Sequence, residues 1–384
     1  MKSFLLKQLF FKILFALILL SNLNIRIMAT AIYDTARIFN VMDKARRGEP
    51  ITIGVIGGSI TAGYAASAEN KKWANLMTDW WKITFRSSKV TLINAGFGGT
   101  GTAIADFRVQ NELLKYNPDF VIIEFGVNDS LTNLSSETME GLVRQIMTSS
   151  HRPGVMILNL MLLNGKSAIN YHKPIAEHYK LPFINFNSLI FPQLKIDKRK
   201  IDNIYNDDTH PNDTGMNYIA LFIKNELDRI YARLPSKDNI HKVDDVLPAV
   251  YISDVYENTW KYSNTSIVPV SNTGWINAGS GWSSDKVSAE LTFSIEGNAI
   301  GILYNLHNND NWGKAELWVD NGPHKIIDAY WKQTWGPATV FCEIGKNLIK
   351  GTHTLHIKIR SDCTNGTGGH YFPLLNILKA GNNK

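Results

Sequence analysis

The strongest constraint on what this chain can fold into is the rhythm of residues 51–234, where short, continuously apolar runs alternate with helical segments. Ile51–Ile56, Val90–Ile93, Phe120–Phe125, Val155–Leu160 and Phe183–Phe186 read as strands. Lys72–Phe85, Ala103–Tyr116, Met139–Met147, Ala168–Tyr179 and Thr214–Arg233 read as helices. A strand apolar at successive positions is buried on both faces, and intervening helices supply the cover. The expected class is therefore α/β, a parallel sheet in a three-layer α/β/α arrangement.

Past Pro235 the pattern changes. Ser236–Asp245 is polar and reads as a linker, extended here to residue 249. Beyond it, short β-rich segments (Ala289–Phe293, Ile300–Tyr304, Ala315–Val319 and His353–Ile359) are separated by Gly, Asn and Asp turns. This spacing predicts an antiparallel sandwich or jelly roll. The expected organisation is a leader over 1–31, an α/β domain over 32–235, a linker over 236–249 and a β-sandwich over 250–384.

The leader reading rests on Lys2 and Lys7 ahead of an apolar run from Leu9 to Leu20, interrupted by Lys12, and on the small residues Ala29-Thr30-Ala31. That is the grammar of a secretory signal, cut near Ala31, which predicts an exported, periplasmic or secreted protein. The apolar run is short for a membrane span, and no later segment is long and apolar enough. A retained anchor is the alternative. Charge follows the same division. Lys2, Lys7, Lys12 and Arg26 account for four of the formal +6, and the rest of the chain carries +2. A near-neutral body offers no electrostatic argument for nucleic acid. The two cysteines, Cys342 and Cys363, fit either one disulfide or two buried thiols. No Cys or His cluster has metal-ligand spacing, so neither a metal nor a cofactor is expected.

Four short segments carry the chemistry. Gly57-Gly58-Ser59-Ile60-Thr61 directly follows the first strand, and a serine there stands at the sheet edge where α/β proteins bind ligands. Asn94–Gly101 follows the second strand as a glycine-rich loop, able to expose amides to a phosphate or a developing oxyanion. Gly96, Gly98 and Gly101 match a dinucleotide-binding spacing, but they follow the second strand and lack the acid that motif requires. Gly126-Val127-Asn128-Asp129 closes the third strand, placing a carboxamide donor at the same edge or forming a simple Asn-Asp turn. Asp207-Asp208-Thr209-His210-Pro211 precedes the last helix. There a carboxylate three residues before an imidazole can orient it as a base, or can serve as a helix cap.

Taken together, the order Ser, Gly, Asn, Asp-x-x-His resembles the SGNH hydrolases, the superfamily also called GDSL esterases and lipases, over roughly Thr52 to Arg233. The resemblance implies a flavodoxin-like α/β/α catalytic domain with Ser59 as nucleophile, His210 as base and Asp207 as its partner. It implies an oxyanion hole made by the amides of Ser59 and Gly99 and the side chain of Asn128. One departure is visible: Gly58 stands where the family usually has Asp. The Gly-Gly-Ser form looks like the branch rich in carbohydrate esterases. Seven of the ten tryptophans (Trp260, Trp275, Trp282, Trp312, Trp318, Trp331 and Trp335) lie in the β-rich part. Indole faces stack on sugars, although most tryptophans in a small β-domain are core, so only a few are expected to be exposed. Asn308–Trp312 is a loop that can touch a sugar or act as a solvated turn.

The expected function is removal of acetyl or other short acyl groups from an acylated polysaccharide or small ester. The competing readings are an O-acyltransferase using the same triad, a non-catalytic carbohydrate-binding surface protein, and a lipase.

Overall fold

Residues 51–57 are apolar at nearly every position, and in the computed structural model they form an interior strand of a five-stranded sheet. The structure describes residues 33–381 except 237–239, 252, 258, 263–265, 350 and 364–367, so the leader read at 1–31 lies outside the described residues. In chain order the first part runs α1 (Ala36–Arg46), β1 (Ile51–Gly57), α2 (Ser59–Ala62), α3 (Trp73–Thr84), β2 (Val90–Gly96), α4 (Thr102–Ala105), α5 (Val109–Glu112) and β3 (Phe120–Glu124). It continues through α6 (Asn133–Thr148), β4 (Gly154–Asn159), α7 (Ile169–His178), β5 (Phe183–Asn185), α8 (Phe186–Asp197) and α9 (Asp213–Tyr231). The strands are ordered β2-β1-β3-β4-β5 and every pairing is parallel.

Alternate residues of these strands feed two cores, as the two-residue period of a strand requires. Ile53 and Val55 of β1 and Phe120 and Ile122 of β3 face a core shared with Met42 of α1, Trp73 and Trp81 of α3, and Ile219 and Ile223 of α9. Ile56, Val121 and Ile123 face the other core, with Leu142 and Ile146 of α6 and Ile175 of α7. This is the three-layer α/β/α arrangement. The strands end in register, with Gly57 beside both Gly96 and Glu124, so the loops that follow β1, β2 and β3 emerge at one edge.

Local boundaries differ from expectation in several places, and the helix read over Met139–Met147 begins earlier, at Asn133. The helix read over Ala103–Tyr116 is broken between α4 and α5, because Arg108 turns inward and donates to the carbonyls of Ala95 (2.6 Å) and Gly57 (3.0 Å). Phe186 starts α8 instead of ending a strand. α1 and α8 had no counterpart in the sequence analysis, and α8 carries Pro192 within it.

The remaining strands are β6 (Thr259–Tyr262), β7 (Ser271–Thr273), β8 (Ile276–Asn277), β9 (Trp282–Ser284), β10 (Glu290–Glu296) and β11 (Ala299–Leu306), after a short helix α10 (Ser253–Tyr256). Then come β12 (Lys314–Val319), β13 (Lys325–Asp328), β14 (Ala338–Gly345), β15 (Thr352–Ile359) and β16 (Phe372–Ala380). They form two antiparallel sheets, ordered β13-β12-β15-β10-β7 and β14-β11-β16-β9-β8, with β6 added alongside β16. Phe293, Leu317, Leu355 and Ile357 of one sheet pack against Ile302, Phe372 and Leu374 of the other, giving a sandwich.

The polar stretch read as a linker has no regular structure over 240–250, yet it is strapped to the α/β layers. His241 pairs with Asn40 and with Asp43, Leu247 accepts from Arg144, and Glu140 accepts the amides of Val250 and Tyr251. From Thr35 onward the chain is one compact unit. The two sheet systems share a fourth apolar cluster, in which Ile104 and Phe107 meet Tyr256, Ala299, Leu303 and Leu378. Cys342 and Cys363 are both free thiols. Among the described residues no helix is long and apolar enough to cross a membrane.

Candidate active site

The turn that carries Ser59 follows from a lack of space. A Cβ at Gly57 would lie 2.1 Å from the Thr61 hydroxyl, so only glycine lets β1 run directly into α2. Gly58 is extended, and Ser59 is the first residue of α2, which ends at Gly63 in the left-handed region (φ +88°). Ser59 thus stands at the carboxyl edge of the sheet, and its carbonyl accepts the Tyr64 amide at 2.9 Å.

The Asp207–His210 loop reaches it from 151 residues away. Ser59 Oγ lies 2.9 Å from His210 Nε2. His210 Nδ1 lies 2.8 Å from Asp207 Oδ2, and Asp207 Oδ1 accepts the amides of Thr209 (2.8 Å) and His210 (2.7 Å). Burial pushes the Asp207 carboxyl up, but the hydrogen bonds from the His210 ring and these two amides outweigh it and hold the group below the usual carboxylate range. Asp207 is not the helix cap: Asn212 caps α9, accepting from Thr214 and Gly215. The Tyr64 ring, 63% exposed, sits 4.5 Å from the imidazole.

Gly98 borders Ser59 from the second loop, and Gly99 follows it in the same loop. A Cβ at Gly98 would lie 3.7 Å from Ser59 Cβ, and one at Gly99 (φ +72°) would meet nothing within 4 Å. The Asn128 carboxamide packs on Gly58, where a Cβ would come within 2.0 Å of Asn128 Oδ1. All the residues singled out from sequence, Ser59, Gly99, Asn128, Asp207 and His210, therefore gather at one sheet edge.

Several supporting residues gave little or no sequence signal. Asp129, with its side chain 3% exposed, accepts from the Thr102 amide (2.7 Å), the Thr102 hydroxyl (2.8 Å) and His172 Nε2 (2.7 Å). In sequence Asp129 is no more than the second residue of an Asn-Asp turn, and His172 is a lone histidine within α7. Glu124, fully buried, accepts from the Thr61 hydroxyl at 2.8 Å and from the Gly126 amide at 3.2 Å. Burial raises its pKa to about 7, with Asp129 adding to the rise and the two hydrogen bonds opposing it. Among the described residues no group of three or more His, Cys, Asp or Glu could hold a metal ion.

In the sandwich, Trp275 and Trp282 are buried, Trp335 is 58% exposed, and the side chain of Trp260 lies outside the described residues. Trp318 is stacked on both His324 and His356, at 4.4 and 4.7 Å. The Asn308–Trp312 loop borders a cleft of about 540 Å³ with His370 and Tyr371.

A serine, an imidazole and a carboxylate in hydrogen-bonded sequence at the carboxyl edge of a five-stranded parallel sheet is an arrangement that hydrolases of the α/β class share. Residues 55–218 match the model of the GDSL-like lipase/acylhydrolase family. An arylesterase of Vibrio mimicus is 26% identical over 187 residues, covering 45% of this chain and 86% of the relative. Thioesterase 1/protease 1/lysophospholipase L1 of Escherichia coli K12 is 26% identical over 203 residues, covering 50% and 89%. The crystal structure of a two-domain esterase active on acetylated mannans, co-crystallised with mannopentaose, aligns with a TM-score of 0.80 at 30% identity. That alignment covers 91% of this chain and 95% of the other. The chain belongs to the SGNH, or GDSL-like, lipase/acylhydrolase family, and it is an ester hydrolase of that family.

Proposed function

We propose that the protein removes acetyl or other short acyl groups from an acylated polysaccharide by way of an acyl-serine intermediate. The observation that carries this is the continuous relay from Ser59 Oγ through both nitrogens of His210 to Asp207, at 2.9 and 2.8 Å. His210 Nε2 takes the Ser59 proton as Oγ attacks the ester carbonyl. The resulting oxyanion accepts hydrogen bonds from the amides of Ser59 and Gly99 and from the Asn128 side chain. Collapse breaks the ester bond and releases the sugar hydroxyl, which receives the proton from His210. Water activated by the same imidazole then frees the acid and restores Ser59.

The polysaccharide reading is supported by the likeness to an esterase active on acetylated mannans across both parts of the chain, and by exposed aromatic rings at the site. Tyr64 stands beside His210, and Phe97, 49% exposed, adjoins Gly98. Such rings offer flat faces to a pyranose. Export after cleavage near Ala31 belongs to the same reading, since a polymer of that kind is met outside the cell. The relevant measurement is an activity profile over acetylated mannan, xylan, pectin and peptidoglycan and over p-nitrophenyl esters of rising chain length. Acetyl is expected to be preferred over octanoyl, and Ser59→Ala to lose at least about 10³-fold in turnover. A preference for octanoyl would make it a lipase, and equal rates in wild type and Ser59→Ala would remove the serine mechanism. Acyl transfer to an added glycan far exceeding hydrolysis would make it an acyltransferase.

A further inference from the structure

The two outer donors of the oxyanion hole proposed above come from loops that share no direct strand pairing. Gly99 follows β2 and Asn128 follows β3, and β1 lies between those strands in the sheet. Sheet hydrogen bonds therefore do not by themselves fix the distance from the Gly99 amide to the Asn128 carboxamide. A separate link does. Asp129, next to Asn128, accepts both the amide and the hydroxyl of Thr102, three residues beyond Gly99. A Cβ at Gly101 would lie 2.3 Å from Asp129 Oδ1, so glycine at 101 is what lets the carboxylate approach this segment.

The carboxylate is held in turn by His172, whose side chain is fully buried and whose Nε2 lies 2.7 Å from Asp129 Oδ2. The other ring nitrogen, Nδ1, is buried and has no hydrogen-bond partner among the described residues. The arrangement is thus an imidazole donating through Nε2 to a carboxylate that accepts three hydrogen bonds, one step removed from the reacting atoms.

We propose that Asp129 and His172 are positioning residues of the oxyanion hole: the carboxylate ties the Gly99 segment to the Asn128 segment, and the imidazole fixes the carboxylate. This rests on the oxyanion-hole reading given above. Neither residue touches substrate. Their contribution is to hold two donors, from separate loops, at a spacing that matches the tetrahedral oxyanion better than the planar ester. Displacement of one donor by about an ångström is enough to cost up to about 100-fold.

The test uses the full chain with p-nitrophenyl acetate and with a short trifluoromethyl ketone, which forms an oxyanion adduct on the serine. Asp129→Asn places an N–H against donors it cannot accept from, and His172→Phe removes the donor to Asp129. Each is expected to lower kcat by roughly 10- to 100-fold with KM within about threefold, and to weaken the ketone by a similar factor. His172→Gln keeps a donor and is expected to recover most of the loss. A kcat within about twofold of wild type in folded Asp129→Asn overturns the inference. So does a loss that follows the fall in thermal midpoint, leaves ketone affinity relative to KM unchanged and is not recovered by His172→Gln. Where Asp129→Asn does not fold, the His172→Phe and His172→Gln pair decides on the same criteria. Asn128→Ala separates the two levels. If it loses kcat and ketone affinity while Asp129→Asn does not, the oxyanion hole stands and the positioning role is gone. If Asn128→Ala itself is neutral, the reading beneath fails and the inference fails with it.

Discussion

At the residue scale, the proposed mechanism makes the tautomer of His210 decide whether Ser59 can lose its proton, and makes Asp207 decide the tautomer. The carboxylate accepts from Nδ1 and leaves Nε2 as the acceptor facing Ser59 Oγ. It also closes its own turn by accepting two backbone amides. Asp207→Asn separates these tasks. Its carbonyl oxygen can still accept the two amides, so the turn survives, but the N–H₂ group that replaces Oδ2 stands at the shorter of the two contacts to Nδ1 (2.8 Å against 3.0 Å) and favours the ring proton on Nε2. The expected outcome is a thermal midpoint close to wild type with kcat lowered by about 10²- to 10⁴-fold. Steady-state kinetics on an acetyl ester, alongside a thermal melt, checks both halves. A rate within tenfold of wild type would mean that solvent at this half-exposed carboxylate orients the imidazole as well as Asp207 does.

At the element scale, the end of β3 places a buried acid beneath the nucleophile turn. Glu124 spans from Thr61 on α2 to the Gly126 amide, and burial lifts its carboxyl from 4.5 to about 7. The raised value fixes the sign of its effect on stability. Below about pH 4.5 the carboxyl is protonated in both folded and unfolded chains and contributes nothing to the pH dependence. As pH rises towards 7 the unfolded chain releases a proton that the folded one keeps, so stability falls by up to about 3 kcal/mol and then levels off. Asp106, raised by burial and by Asp129, adds a slope of the same sign. Glu124→Gln is expected to shrink the difference in urea midpoint between pH 5 and pH 8. An unchanged difference would show that this carboxyl ionises normally in the fold.

What the sequence revealed at this scale also has a physical explanation. Ser59, Asn128, Asp207 and His210 were readable because each belongs to a short local pattern: a glycine turn after an apolar strand, or an acid three residues before a histidine. The link from His172 to Asp129 spans 43 residues and exists only because α7 packs against the loop after β3, so no local pattern carries it. Arg108 was missed for the same reason. Its side chain satisfies carbonyls of β1 and β2, and in doing so breaks a helix that periodicity alone makes continuous. The α8 helix has a weak amphipathic pattern, with only Phe186, Ile190 and Leu194 buried, so periodicity gave it little signal.

At the scale of the whole molecule, the sandwich meets the helix that follows the Gly99 loop. Ile104 of α4 and the adjoining Phe107 pack against Ala299, Leu303 and Leu378, and the rings of Phe107 and Phe341 lie 5.9 Å apart. The contact is polar as well as apolar. Arg144 pairs with Glu257 at 2.9 Å, Lys346 with Glu137, and the Tyr256 hydroxyl donates to Glu343. Gln145 donates to the Tyr256 carbonyl at 2.9 Å. Together with the strapped stretch over 240–250, these contacts predict that the two sheet systems unfold together, because losing the sandwich would strip the cover from the segment carrying α4. Leu317→Ala tests this from a distance. Leu317 is fully buried in the sandwich core, far in sequence from every residue of the relay, and its truncation should cost about 2–5 kcal/mol. Urea unfolding can be followed by esterase activity, which reports the α/β layers, and by tryptophan fluorescence, to which the sandwich contributes most of the indoles. The two curves are expected to coincide in the wild type and to move together in Leu317→Ala. Activity that persists at urea concentrations where the fluorescence of the variant has already changed would mean that the sandwich unfolds by itself and that α4 stands without it.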